Sequence, residues 1–204
     1  MDRLQHQLNR LAAGLGVAFL SGLAACGGDA GAARAAPARV VDSIVPGEVA
    51  IARFREGIPE VTALVGGAPT RDALVGRFVR ALEGRDTTAL TGLLLSRAEF
   101  AWLYYPTNPQ ALPPYDVAPG LMWELISLES RKGLRRAMET YGGASLELAG
   151  YSCDARQSRQ GENVVTGPCV VRLAAGPGTV ELRLFGLIVE RAGRHKFVSY
   201  ANKF

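Results

Sequence analysis

The chain has 204 residues, with 23 Lys and Arg against 19 Asp and Glu, and 48% of its residues are hydrophobic. That length suits one core with some chain left over, and the hydrophobic share excludes a wholly disordered protein. The 24 Gly and 11 Pro lack a triplet period, which excludes collagen, and a net charge of +4 is too small and diffuse to indicate nucleic acid.

Arg3 and Arg10 precede an apolar run over 11–23, and Ala24, Ala25, Cys26 and Gly27 follow it. A basic start, a short apolar stretch and a small-residue site predict a secretory signal peptide. The run is shorter than the roughly 20 apolar residues of a membrane span. Its ending, Leu23-Ala24-Ala25-Cys26, closely resembles the lipobox of bacterial lipoproteins. The resemblance implies cleavage before Cys26, lipidation of its thiol and a lipid-anchored chain in the bacterial cell envelope. Gly27, where an aspartate would favour retention, implies the outer membrane facing the periplasm. The expected organisation is a signal peptide over 1–25, a lipid-anchored tether and N-terminal arm over 26–69, and one domain over 70–204.

Gly, Ala and Pro dominate 27–46 and no amphipathic period appears, as in a flexible spacer. The stretch 48–64 reads as a short strand or an arm lying on the domain, and Pro59 argues against a long helix. Thr70 is a good N-cap, followed by Leu74, Phe78, Ala81 and Leu82 at helical spacing before Gly84. Asp86 can cap a second helix carrying Leu90, Leu93 and Leu94. Ser96 and Glu99 have the spacing of a capping box leading into the apolar run 100–105. After a proline-rich loop over 106–119, a helical pattern runs over 120–141 and changes phase midway. Leu121, Leu125 and Leu128 share one face, and Leu134, Met138 and Tyr141 share nearly the opposite one, which predicts a bend near Gly133 or two helices. Beyond Gly143 the period becomes two, giving strands over 146–153, 169–173, 179–190 and 196–201 with a turn over 191–194. Short links between them predict an antiparallel meander, so the fold class is α+β, with N-terminal helices packed on one face of a curved antiparallel sheet.

The segments 74–82 and 83–90, with the terminal hairpin 180–200, resemble the layout of the nuclear-transport-factor-2-like fold. That cone is shared with ketosteroid isomerase and the polyketide-cyclase proteins. The resemblance covers about 70–204 and implies a curved, cone-shaped sheet with an apolar mouth. Isomerases of that fold hold an acid and a tyrosine there, but no residue here matches their motif, so no catalytic residue is assigned.

Cys153 and Cys169 end one expected strand and begin the next, either as a disulfide closing the loop 154–168 or as two buried thiols. Glu147 and Glu181, with Tyr104, Tyr105 or Tyr151, are the residues an acid and tyrosine mechanism would use. The plainer alternative is solvated strand acids beside Arg172 or Arg183. Trp102, Tyr104, Tyr105 and Trp123 are the candidate ligand-binding residues, since aromatics line ligand mouths, although they also fill cores. Arg131, Lys132, Arg135 and Arg136 could meet anionic headgroups or form a solvated helix face. His195 falls in a charged turn and reads as solvated. The sequence carries no His/Cys cluster for a metal, no G-x-S-x-G and no phosphate-binding loop, so no metal or cofactor is expected.

These readings converge on an envelope lipoprotein displaying a ligand- or protein-binding domain. Its expected partners are the membrane, through the lipid anchor, and a small apolar ligand or an envelope protein, without nucleic acid. An isomerase- or cyclase-type enzyme and an accessory subunit of an envelope complex are the alternatives.

Overall fold

Side-chain caps set the helical half of the domain. The computed structural model describes residues 45–175 and 178–203. Helix α1 (Gly47–Arg55) overlaps the start of the stretch 48–64, which was read as a short strand or an arm and holds a helix instead of a strand. Helix α2 (Arg71–Glu83) is capped by the Thr70 hydroxyl, which accepts from the Ala73 amide at 3.1 Å, and it buries Leu74, Val75, Phe78, Val79 and Leu82. Asp86 caps α3 (Thr87–Gly92) in the same way at 2.8 Å. The Ser96–Glu99 capping box starts α4 (Arg97–Glu99), which widens at once into a π-helical turn, Phe100–Tyr104.

Helix α5 (Pro119–Tyr141) is one helix throughout, without the expected break. Its inward stripe is continuous: Met122, Ser130, Gly133 and Ala137 are buried, with Ile126 and Leu134 half-buried between them. Leu121, Leu125 and Leu128 are instead 57%, 53% and 40% exposed. Three surface leucines at helical spacing imitate a core face, and that imitation created the apparent change of phase.

The strands form a meander cut across its middle. β1 (Leu148–Cys153), β4 (Cys169–Ala175) and β5 (Gly178–Leu182) make an antiparallel sheet in the order β1-β4-β5. β2 (Gln157–Gln160), β3 (Asn163–Thr166), β6 (Ile188–Arg191) and β7 (Arg194–Phe197) make another in the order β2-β3-β6-β7. Three passages of chain cross between the sheets, over 154–156, 167–168 and 183–187. Pro168, which has no N–H to donate to a ladder, stands at the middle crossing. The expected long third strand is therefore two strands, and the expected loop 154–168 is mostly the β2–β3 hairpin.

This topology corrects the resemblance. Both sheets are open and neither is curled or closed into a cone, so the nuclear-transport-factor-2-like assignment does not stand. Nor are the helices confined to one side. Adjacent strand residues point to opposite faces, and Ile188 joins a core with Phe78, Leu82 and Phe197, whereas Val189 joins one with Phe100, Tyr104, Met122 and Val165. The Ile188 core is thus shared with α2, α3 and the C-terminal half of α5, and the Val189 core with the π-turn and the N-terminal half of α5. The accompanying identification as a lipoprotein gains no support and is not carried forward. Cys26 and the segment 1–25 lie outside the described residues, and no helix among the described residues is long and apolar enough to cross a membrane.

The two cysteines do form a disulfide. Cys153 and Cys169 face each other in the β1–β4 register, where that sheet gives way to the β2–β3 hairpin. Closing the 16-residue separation is worth about 3 kcal/mol in the chain-entropy account.

Two glycines permit close passages. A Cβ on Gly133 would lie 1.6 Å from the Tyr200 carbonyl oxygen, because α5 there touches the backbone of the C-terminal segment. Gly67, at φ +63°, lets the loop 65–68 run against the outer edge of β7, where a Cβ would meet the His195 carbonyl at 2.4 Å. Ala68 and His195 exchange backbone hydrogen bonds at 3.0 and 2.8 Å, and Phe197 bonds to Leu93 and Leu95 at 2.9 Å each. The edge of β7 is thereby sealed by two short segments, and these frame the site described next.

Candidate functional site

Where the loop 65–66, the start of α4, the inner side of α5 and the end of β7 meet, they leave a cavity of about 710 Å³. Leu94, Leu95, Trp123, Ile126, Leu134 and Val198 supply most of its apolar wall. Thr91, Ser96, Ser127 and Ser130 add hydroxyl groups, and the exposed Arg97 and Arg131 also belong to the lining. Drug-sized ligands occupy pockets of about 300–1,000 Å³ with this mixture of apolar surface and a few polar groups.

A buried ion pair stands in the wall. The β6–β7 register sets Lys196 opposite Val189, so the lysine projects on the same face of the sheet as the Val189 core. Its side chain is 4% exposed and that of Glu99 1% exposed. The Lys196 ammonium donates to Glu99 Oε2 at 2.8 Å, to Glu99 Oε1 at 3.1 Å and to the Val65 carbonyl at 3.0 Å. Glu99 also accepts from the Val65 amide on Oε1 and from the Ser96 amide on Oε2, both at 2.7 Å. All three ammonium protons and both carboxylate oxygens are thus engaged. The pair clamps the loop at Val65 to α4 and β7, and it leaves no unpaired carboxylate among the described lining residues. Sequence reasoning found Glu99 through its capping box but missed Lys196, whose only signal was a cation one residue before the apolar Phe197-Val198.

The four candidate aromatics do not converge. Trp123 lines the cavity. Tyr104 lines a smaller one of about 450 Å³ with Asn108, Met122 and Leu187, and burial raises its hydroxyl pKa to about 12. Tyr105 is buried in the core, where its hydroxyl donates to the Val117 carbonyl at 2.9 Å. Trp102 lies under the Arg55 guanidinium, 4.0 Å from the ring centre, while Arg55 donates to the Ala101 carbonyl freed by the wide π-turn. Tyr105 and Trp102 therefore belong to the core around Phe100 and do not line the cavity.

An acid and a tyrosine do meet, but elsewhere and with another acid. Tyr151 donates to Asp72 at 2.7 Å, and burial followed by that hydrogen bond raises the phenol to about 12. Both lie outside the 710 Å³ cavity. Glu147 and Glu181 are exposed, Glu181 opposite Arg172 across β4 and β5. His195 is half-buried instead of solvated; burial lowers its pKa, opposed by Glu190 and the Ala68 hydrogen bond. On α5, Lys132 and Arg135 form exposed pairs with Glu129 and Glu139, whereas Arg131 makes no ion pair among the described residues. Among the described residues no group of three or more His, Cys, Asp or Glu could hold a metal.

No protein-family model matches the chain, and neither a curated protein nor a solved structure matches it.

Proposed function

We propose that this α+β domain is a binding module for a small, largely apolar molecule held between α4, α5 and β7. The observation that carries the reading is the 710 Å³ cavity, with apolar walls whose one buried ion pair is fully satisfied. Binding of an apolar body there gains from the hydrophobic effect in proportion to the area covered. Catalysis by a carboxylate and tyrosine has less support, because the Tyr151–Asp72 contact lies outside this cavity and Glu99 is already saturated. The Cys153–Cys169 disulfide favours work in an oxidising compartment.

Titration of the full chain with the neutral dye N-phenyl-1-naphthylamine tests the proposal, with energy transfer from Trp123 as the signal and Trp102→Phe as the background. Saturable one-to-one binding is expected, and Ile126→Trp, which fills the cavity, should abolish it. Absence of saturation, or binding that survives Ile126→Trp in a folded protein, would overturn the reading.

A further inference from the structure

We infer that the ligand is an amphiphilic anion, an apolar chain ending in one carboxylate, with its head held at the cavity mouth by Arg97 and Arg131. The inference rests on the binding reading above and adds the chemistry of the head. Among the described residues of the lining Glu99 is the only carboxylate, and Lys196 neutralises it within the wall. The remaining charged residues among those described in the lining are two arginines, one from each wall. Arg97 comes from α4 and Arg131 from α5, and both are exposed at the rim, whereas Leu94, Leu95 and Ile126 are half-buried or buried deeper in. Neither arginine makes an ion pair among the described residues.

Arg97 is also held in place. Its guanidinium carbon lies 4.9 Å from the centre of the Phe54 ring. Stacking on an aromatic face leaves the in-plane N–H groups of a guanidinium free to grip a carboxylate with two parallel bonds. Arg131 stands one turn beyond Ser127 on the same lining face of α5, so a hydroxyl and a guanidinium are offered side by side. An uncharged ligand would leave both arginines unused, and a cationic one would meet their repulsion.

Three probes of equal chain length test this on the full chain below their micellar concentrations: dodecanoate, dodecanol and dodecyltrimethylammonium. Competition with the naphthylamine dye reports each affinity. Dodecanoate should bind about tenfold or more tighter than dodecanol, the worth of one charge-assisted hydrogen bond, and the ammonium should bind weakest. Arg97→Gln and Arg131→Gln should each weaken dodecanoate binding more than dodecanol binding, and so narrow the dodecanoate advantage, in a chain that circular dichroism shows to be folded. Higher salt should narrow it too, because the head site is exposed. Equal binding of dodecanoate and dodecanol, or an advantage untouched by both substitutions, would overturn the anionic head and leave the binding module standing. Failure of all three probes and of the dye would overturn the module itself.

Discussion

Replacing Lys196 by Met removes the cation from a carboxylate that is 1% exposed. The substitution keeps most of the apolar stem and deletes three hydrogen bonds from the ammonium, at 2.8, 3.0 and 3.1 Å. Glu99 retains its two amide donors but loses its counter-charge while its side chain stays buried. Removing one member of a buried pair costs about 3–5 kcal/mol, mostly the penalty of the charge left behind. Set against the roughly 5–15 kcal/mol that holds an ordinary domain together, this is a large loss. A domain of this size should melt roughly 6–20 °C lower. Urea unfolding followed by circular dichroism measures the loss, provided the slope of free energy against urea stays that of the parent. Combining Lys196→Met with Glu99→Gln should cost less than the two single changes added together, with a coupling of about 1–3 kcal/mol. A single variant within about 1 kcal/mol of the parent, or strict additivity in the double variant, would refute the buried clamp.

Gly133→Ala should destabilise by about 1–3 kcal/mol or more in the same assay, reversing the usual gain from Ala in a helix, because the added carbon collides with the Tyr200 carbonyl. On α5, Leu125→Ser should change stability by no more than about 0.5 kcal/mol, while Met122→Ala should cost about 2–5 kcal/mol, since only the second is buried. Thiol titration of the denatured, unreduced chain should find no contribution from Cys153 or Cys169, and Cys153→Ala with Cys169→Ala should lower stability by about 3 kcal/mol. His195 has a lower pKa folded than its unfolded 6.5, so the unfolded chain takes up the proton first. Its contribution is complete above pH 6.5 and is lost as the pH falls toward the folded value. The acid side of a stability–pH curve should therefore be shallower in His195→Gln, and unchanged curves would contradict that placement.

Local chemistry was legible wherever a short-range rule governs the backbone. Thr70, Asp86 and the Ser96–Glu99 box all cap helices, because each side chain satisfies an amide only a few residues away. The disulfide pair was likewise legible from residue type and position. What escaped depends on partners distant in sequence. Gln157–Gln160 is polar and largely exposed, so nothing in its own pattern announces a strand; its pairing with Asn163–Thr166 creates one. The crossing at 183–187 escaped because Gly186 and Leu187 leave the sheet to pair with Ser199 and Val198, an arrangement the alternation of apolar residues does not reveal. That interruption turns an expected cone into two open sheets. Lys196 was placed only as the start of the last strand, and its burial was not foreseen because a lysine is seldom buried without a partner and its partner lies 97 positions earlier.

The central claim is that the space between α4, α5 and β7 receives the ligand. Methyl NMR of the full chain during titration with dodecanoate tests it most directly. The claim predicts saturable shifts at Leu94, Leu95, Ile126, Leu134 and Val198, which line the cavity, with none at Leu121 or Leu128 on the outer face of α5. Shifts confined to Leu121, Leu125 and Leu128 would contradict it and place binding on the exposed side of the helix.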